Sequence, residues 1–406
     1  MATVTAKRTS GALIVLLGTA VFLNYVDRGA IGIAAPLMTK ELGLSATAFG
    51  LTASAFYWAY GPIQLVVGWL VDRFSVYRLM SVGLVVWALS TMAMGAVGGF
   101  VSLLVFRILL GIGESVIFPG SSKIIAERVP AESRGMANAA VSIGIALGPA
   151  IGTLAGGLIL ASWGWRAIFV AFGLATLLWL VPWQRTVAAI GDGAGKQRPR
   201  DVPVAAVLRR WPLWSMSIAH TASNFVFYFF IFWLPSFLTG SRGLSIGEMT
   251  TLATLGFAAQ AVAALGFGWW SDRWTSSGRS EAAIRRWMMV GTQLVQAVAV
   301  VGVMFAGSAF ELALWLVIAG ICTGALSLNI YAVAQMFAGP RAAGTWIGVQ
   351  NALGNSVSGI AGLSLIGMIV DLAGYDGAFY VAAAVAAAGG LWWVAGVPRI
   401  AQIRID

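Results

Sequence analysis

The chain has 406 residues, of which 59% are hydrophobic and only 10% charged, with a formal net charge of +10. Apolar runs of about 20 residues, the length of a helix that crosses a bilayer, recur along it and predict an all-α integral membrane protein rather than a soluble one. Cys322 and His220 are the only residues of their kinds, which excludes disulfides, thiolate metal sites and histidine-rich catalytic clusters, so no cofactor or metal is predicted.

Short polar segments or Gly and Pro residues separate the apolar runs. The runs lie near 12–38, 47–71, 79–98, 101–124, 136–160, 165–184, 212–238, 249–270, 287–306, 310–337, 344–370 and 377–397. Lys7 and Arg8 precede the first run as in a signal peptide, but the run is too long for one and eleven more follow. We therefore predict twelve transmembrane helices.

Charged side chains occur inside the first and fourth predicted spans. The first contains Asp27 and Arg28 in FLNYVDRGAI, and the fourth contains Arg107 and Glu114, two helical turns apart on one face. Successive helical residues project in different directions, so Arg28 shares a stripe with Asn24 while Asp27 faces a neighbouring helix. If the two spans face each other, we expect Asp27 and Glu114 to pair with Arg28 or Arg107.

These four charges allow two interpretations. They can be static ion pairs that lock the N-terminal helices together, although buried ion pairs stabilise proteins poorly. Alternatively, an arginine fork matches a carboxylate, and burial favours the protonated form of an acid. Because charges at membrane depth are costly and usually functional, we favour the second interpretation, which predicts a proton-coupled carrier of an organic anion.

Four glycines at four-residue spacing follow in the fifth span, and they predict a smooth helix face that a neighbouring helix can approach closely. Such a face can be a contact that slides during transport, or it can be static packing.

A long polar segment then divides the chain. We predict an N-terminal six-helix bundle at 1–184, a cytoplasmic linker at 185–210 and a C-terminal six-helix bundle at 211–406. A repeat supports this division, because GWLVDRFSVYR at 68–78 and GWWSDRWTSSGR at 268–279 follow the second span of each half.

Basic residues outside the spans lie almost entirely on one side of the membrane if the N-terminus is cytoplasmic. Only Lys40, Arg166 and Arg242 then face the other side. By the positive-inside rule, this asymmetry predicts that both termini are cytoplasmic. It also accounts for the basic net charge, so nucleic acid is not expected as a partner.

The C-terminal spans contain no clear intramembrane charge but carry neutral polar side chains. Asn224 and Tyr228 lie one turn apart in the seventh span, and Asn351 and Asn355 lie one turn apart in the eleventh. Neutral donors and acceptors suit the hydroxyl groups of a sugar acid, but such side chains also bind helices to one another. Both interpretations stay open for each residue.

The repeated loop sequence resembles the signature of the major facilitator superfamily, in which a Gly and Asp-Arg precede a second Gly and further basic residues. Both copies depart from this pattern, and the first lacks the second Gly and the paired basic residues. The resemblance implies two pseudo-symmetric six-helix bundles with substrate bound between them near the midplane. It also implies a latch between helices, weakened by the departures of the first copy, that involves Gly68, Asp72, Arg73, Asp272 and Arg273, although an Asp-Arg pair can simply cap a helix end.

The sequences NYVDR and FRILLGIGES resemble the anion:cation symporter family within that superfamily, which contains bacterial hexuronate and sugar-acid transporters and the vesicular glutamate and sialic acid carriers. NFVFYFFIFWLPSFL at 224–238 and GVQNALGNSVSGIAG at 348–362 extend the resemblance over essentially the whole chain. The roles it implies are binding of the substrate carboxylate by Arg28 and Arg107, protonation of Asp27 and Glu114, and hydroxyl contacts from Tyr25 and Tyr60.

These observations predict a secondary active transporter that carries a small organic anion, such as an aldonate or hexuronate, in symport with protons by alternating access. The fifth span, VSIGIALGPAIG, lacks polar side chains found in some sugar-acid carriers, which favours a smaller or less hydroxylated anion. The alternatives are a proton-driven exporter or antiporter of a small compound and a transport-inactive membrane sensor; an enzyme is not expected. We expect a monomer in a bacterial inner membrane.

Overall fold

The computed structural model describes residues 2–129, 134–190 and 203–403. For residues 2–10, for Gly68, Asp72 and Asp272, and for a few further helical positions, only the backbone is described. No strand occurs in these ranges. The helices are α1 (Ala2–Glu41), α2 (Ala46–Arg73), α3 (Val76–Met94), α4 (Phe100–Glu114), α5 (Ile117–Arg128), α6 (Arg134–Ile190), α7 (Val204–Leu208), α8 (Trp211–Ser236), α9 (Ile246–Ser276), α10 (Glu281–Phe305), α11 (Ala309–Ser356) and α12 (Leu363–Ala395), with π-helical segments at Phe237–Ser241 and Val357–Gly362.

The chain packs into two compact units. One comprises Met1–Gln197 with Ser245–Thr250, and the other comprises Arg198–Leu244 with Thr251–Asp406. Helix α6 continues to Ile190, past the predicted end of the sixth span at residue 184, and α7 lies within the predicted linker. Residues 191–202 of that linker lie outside the described ranges, and the predicted bundle boundaries stay a prediction.

The length and apolarity of the helices agree with an all-α membrane protein. In the described part of the chain, nine helical stretches are long and apolar enough to cross a membrane. Two of them, Met136–Ile190 and Ala342–Ala395, have 55 and 54 residues, enough for two crossings each. Helix α2 adds another 28 residues. The fold is therefore consistent with twelve spans.

Three of the predicted breaks between spans fall inside the continuous helices α6, α11 and α12, and each contains a glycine with positive φ. Gly164 has φ 78°, Gly339 has φ 64° and Gly374 has φ 69°. Glycine alone enters this left-handed region without a steric penalty, so the helix direction changes there. These glycines explain why the breaks inside the long helices could be predicted from Gly and Pro residues and short polar segments in the sequence.

In the N-terminal unit, α1 packs along α6, and glycines set the distance between them. A Cβ atom placed on Gly144 would overlap backbone atoms of Gly18 and Phe22, and one on Gly152 would overlap the backbone of Val26. On Gly148 it would reach the Cβ atom of Tyr25. The predicted smooth face is therefore a close contact inside one unit, and it holds the α1 segment that carries the charged residues.

We expect Gly148→Leu to destabilise the N-terminal unit. The leucine side chain would collide with α1 near Tyr25, and overpacking of this kind costs about 1–3 kcal/mol. Thermal unfolding of the purified protein should therefore occur several degrees lower than in the wild type. Gly266→Leu is the matched control, because this helical glycine has no atom within 4 Å of its would-be Cβ position. Equal unfolding temperatures for the two variants would contradict the packing argument.

Candidate functional site

Glu114 is the last residue of α4, and two turn residues separate it from α5. Pro119 explains the interruption, because it has no N–H group for the carbonyl of Ser115 and its ring crowds that carbonyl. The hydroxyl of Ser115 donates to the carbonyl oxygen of Ile112 at 2.7 Å and satisfies one acceptor at the break. The carboxyl group of Glu114 thus sits at a discontinuity between two helices.

Two glycines bring α4 close to its neighbours. A Cβ atom on Gly111 would overlap the carbonyl oxygen of Phe56 in α2, and one on Gly113 would overlap the backbone nitrogen of Trp87 in α3. Helix α4 therefore packs closely against both α2 and α3. Its charged side chains are buried among these helices instead of facing lipid.

One oxygen of Glu114 connects α4 to α1. Oε2 accepts hydrogen bonds from Nδ2 of Asn24 at 2.7 Å and from Nε of Arg28 at 3.3 Å. Glu114 and Arg28 form a salt bridge, with side chains 0% and 5% exposed. Asn24 and Arg28 lie on the same stripe of α1, and Arg28 is the arginine that Glu114 contacts.

Each member of this cluster has a buried polar atom left over. Nη2 of Arg28, Oε1 of Glu114 and Oδ1 of Asn24 form no hydrogen bond with any residue in the described ranges. A buried donor or acceptor without a partner is costly, and more so on a charged group. Such atoms indicate where water or a ligand binds. The guanidinium group of Arg28 is the cationic member and therefore suits an anion.

Aromatic rings surround the guanidinium group of Arg28. Its Cζ atom lies 5.1 Å from the ring centre of Tyr25, 5.3 Å from that of Phe56 and 4.7 Å from that of Tyr60. Cation–π contacts of this kind stabilise a desolvated cation and restrict its movement. The structure thus brings both predicted tyrosines to Arg28.

Asp27 has neutral partners on α3. Its Oδ2 atom accepts hydrogen bonds from Nε1 of Trp87 and from the hydroxyl of Thr91, the latter at 2.6 Å, while Oδ1 bonds none of the described residues. The predicted pairing of Asp27 with Arg28 or Arg107 is therefore wrong, because the side of α1 that carries Asp27 faces α3. The sequence analysis did not identify Trp87 and Thr91 as partners of Asp27. The only indication in the sequence was that the two hydrogen-bond donors lie four residues apart, one turn of the same helix.

Arg107 contacts backbone atoms. Its Nε atom donates to the carbonyl oxygen of Thr52 at 3.2 Å, and Nη2 donates to that of Ala53 at 2.9 Å. The guanidinium carbon also lies 5.2 Å from the ring centre of Phe56, the ring that Arg28 contacts. Arg107 therefore stands beside Arg28 but is held by α2. Its predicted contact with a substrate carboxylate stays a prediction.

The C-terminal unit contains a network of neutral polar groups between α8 and α11. Oδ1 of Asn355 accepts from Nδ2 of Asn224 at 2.8 Å and from the hydroxyl of Tyr228 at 2.5 Å. Nδ2 of Asn355 donates to Oδ1 of Asn351 at 2.8 Å, and the hydroxyl of Tyr331 donates to the same oxygen at 2.9 Å. All four predicted polar residues are thus joined, together with Tyr331, which sequence reasoning missed.

Two further features border this network. The π-helical segment Val357–Gly362 follows Asn355 closely, and π-helical turns occur frequently at functional sites. The ring of His220 packs edge-on against that of Tyr331, with centroids 5.5 Å apart. The histidine therefore packs against the network's tyrosine.

The predicted latch residues are described only in part. The side chains of Asp72 and Asp272, and the surroundings of Gly68, lie outside the described part of the chain. Arg73 and Arg273 are exposed, and Arg273 lies 5.9 Å from the ring centre of Trp269. The proposed latch therefore stays a prediction.

Comparisons with known proteins agree with this arrangement of helices. A family model described as Major Facilitator Superfamily matches residues 17–280 and 238–402. The chain is 30% identical over 391 residues to a hexuronate transporter of Bacillus subtilis (strain 168), covering 92% of this chain and 91% of that protein. It is 29% identical over 392 residues to a probable galactarate/D-glucarate transporter of the same strain, covering 88% and 85%.

Solved structures show the same fold. A crystal structure of a bacterial homologue to the human lysosomal transporter Spinster, in an inward-facing and unoccupied conformation, matches with a TM-score of 0.76 and 21% identity. The match covers 96% of this chain and 94% of that one.

Proposed function

This chain belongs to the Major Facilitator Superfamily, and on that premise we propose that it transports a small organic anion in symport with protons by alternating access. The anion class that we propose is a sugar acid such as a hexuronate or an aldonate. Two relatives that match nearly the whole chain are named for hexuronate and for galactarate or glucarate transport. Proton coupling is a separate proposal that rests on the buried acids.

The observation that carries the proposal is the environment and hydrogen bonding of the Arg28 guanidinium group. Its guanidinium group is buried, surrounded by aromatic rings and paired through Nε with Glu114, while Nη2 hydrogen-bonds none of the described residues. A carboxylate matches this unbonded donor in charge and geometry. We therefore assign Arg28 as the main anion ligand, with Tyr25 and Tyr60 at its side.

Competition for Arg28 provides a route to proton coupling. While Glu114 is ionised, it occupies the guanidinium group as an internal anion. Protonation of Glu114 removes that charge, so a substrate carboxylate replaces it without adding a second negative charge to a buried site. Release of substrate and proton on the other side restores the internal pair. Asp27 is the second proposed proton site.

Hydroxyl recognition is the proposed role of the C-terminal network. The side-chain amide of Asn355 accepts hydrogen bonds from Asn224 and Tyr228 through its oxygen and donates one to Asn351 through its nitrogen. All of these groups are neutral. Groups of this kind exchange hydrogen bonds with hydroxyls at little electrostatic cost. A purely helix-binding role is the alternative, and it predicts no change of substrate preference in an Asn355→Leu variant.

The test is uptake by the purified full chain in liposomes with an alkaline interior. We expect hexuronates or aldonates to accumulate and to carry protons inward, reported by an internal pH dye, while neutral sugars do not accumulate. Anion movement coupled to protons in the opposite direction would favour the antiporter. Absence of transport for sugar acids, dicarboxylates, sulfonates and amino acids would favour the transport-inactive sensor.

Placement in the cell is also proposed. We infer a bacterial inner membrane, both termini in the cytoplasm and a monomeric carrier. The asymmetric distribution of basic residues supports the orientation. Labelling of cysteines introduced at Lys40 and Arg209 by a membrane-impermeant reagent in intact cells tests it, because only the first position should react.

A further inference from the structure

An open groove of about 440 Å³ lies where α9 ends and α10 begins. Its aromatic lining residues are Trp274 and Trp287, and Arg279 and the small residues Ser280 and Ala283 also line it. No acidic residue is among its described lining residues. The groove therefore combines apolar walls with one cationic group.

Tryptophans and arginines are concentrated around this groove. Trp269, Trp270 and Trp287 are 67%, 44% and 64% exposed, although indole rings are usually more buried in folded proteins. Arg279 lies 5.5 Å from the ring centre of Trp274, which is 4.5 Å from that of Trp270. Exposed indoles at the end of a membrane helix are typical of the membrane–water boundary. The groove is therefore expected to open at headgroup level.

We propose that this groove binds one anionic phospholipid of the predicted cytoplasmic leaflet. The phosphate would accept hydrogen bonds from Arg279, and the first carbons of the acyl chains would lie against Trp274 and Trp287. A basic group close to the membrane surface attracts anionic lipids, and indole rings hold the glycerol region. A free phosphate ion would use the arginine but leave the apolar walls exposed, so a lipid is the better occupant.

Glu281, the described acidic residue nearest to Arg279 in the sequence, has another partner. Glu281 is paired with Arg285 at 2.7 Å on the same face of α10. Arg279 itself is exposed and contacts the ring of Trp274, so its charge remains available to a ligand in the groove. The charge complementarity that the proposal needs is therefore present.

The internal repeat offers a matched control. Arg78 ends the first copy of the repeat, as Arg279 ends the second, and it is also exposed. The first copy, GWLVDRFSVYR, contains a single tryptophan where the second, GWWSDRWTSSGR, contains three. The segment around Arg78 therefore lacks the indole walls of the groove, and we expect no lipid to be retained there.

The experiment is lipid binding to the purified full chain, measured by native mass spectrometry and by thermal unfolding. Phosphatidylglycerol and phosphatidylcholine with identical acyl chains are compared in the wild type, Arg279→Gln, Trp287→Ala and Arg78→Gln. We expect the wild type to retain and be stabilised by phosphatidylglycerol preferentially. That preference should fall about five-fold in Arg279→Gln, the change expected for one basic group at the surface.

Trp287→Ala should weaken retention of both lipids, and Arg78→Gln should behave as the wild type. Three results would overturn the proposal. The first is equal retention of the two lipids by the wild type, and the second is an undiminished preference in Arg279→Gln. The third is full stabilisation by inorganic phosphate without lipid, which would show a simple anion site. The wild-type comparison remains decisive even if a variant fails to fold.

Discussion

Replacing Arg28 by lysine is expected to leave the protein folded but to reduce anion uptake at limiting substrate at least about 30-fold, since removing a buried charged hydrogen bond costs about 2 kcal/mol or more. Lysine keeps a positive charge beside Glu114, so the buried carboxylate is not left without a cation. It lacks the planar fork that offers Nε to one carboxylate and Nη2 to another. A loss of uptake in this variant would therefore indicate that the substrate binds to Nη2 of Arg28, the donor that hydrogen-bonds no described residue.

The measurement is the initial uptake rate in liposomes with an alkaline interior, together with the unfolding temperature. Arg166→Lys is the matched control, because Arg166 pairs with Glu41 at 2.9 Å and both side chains are about half exposed. Pairs at the surface contribute little, so uptake should not change. Wild-type uptake in Arg28→Lys, with an unchanged unfolding temperature, would contradict the assignment of Arg28 as the anion ligand.

Amide replacement of the two buried acids is expected to separate proton coupling from anion binding. In Asp27→Asn and Glu114→Gln, uptake driven by a pH gradient should fall to the level of protein-free liposomes, because an amide does not exchange a proton. Each amide retains a carbonyl oxygen for the hydrogen bonds that the carboxylate accepts. The fold should therefore persist, and exchange of internal for external anion should continue.

The two amide variants should differ in anion affinity. Glu114→Gln removes the internal anion that competes for Arg28, so substrate should bind more tightly than in the wild type and bind over a wider pH range. Asp27 is held by the neutral donors Trp87 and Thr91, so Asp27→Asn should leave anion affinity close to that of the wild type. The contrast follows from which acid contacts the arginine.

Substrate-dependent thermal stabilisation at acidic and alkaline pH measures this affinity, because a ligand that binds only the folded state stabilises it by RT ln(1 + L/Kd), where L is the free ligand concentration. Glu41→Gln, an acid in a surface pair, is the control and should match the wild type. Normal gradient-driven uptake in both Asp27→Asn and Glu114→Gln would rule out these acids as the proton sites.

The sequence supported a large part of the fold. Apolar length is read over about 20 residues of continuous chain, so the positions of most spans follow from composition alone. The left-handed glycines at 164, 339 and 374 end helices by local sterics, and predicted breaks contain all three. Helix α6 continues to Ile190, past the predicted sixth span, because helix propensity does not end where the polar Arg185 interrupts the apolar run.

The candidate site was predicted in its members but only partly in its contacts. Helical spacing placed Asn24 and Arg28 on one stripe, and both contact Glu114. Similarly, Asn351 and Asn355 share a stripe and hydrogen-bond each other. Spacing within a helix determines which side chains share a face, because the helical repeat is a local property.

The choice of partners across helices was decided by the tertiary structure. Asp27 could not be assigned to Trp87 and Thr91, and Arg107 could not be assigned to the carbonyls of α2, because both contacts depend on the rotation and separation of neighbouring helices. Glycines of α4 and α6 set those separations only once their neighbours are in place. The sequence by itself thus determined that buried charges exist and which helix faces carry them. Only the packed helices decided that Glu114, and not Asp27, holds Arg28, since partner choice is a long-range property.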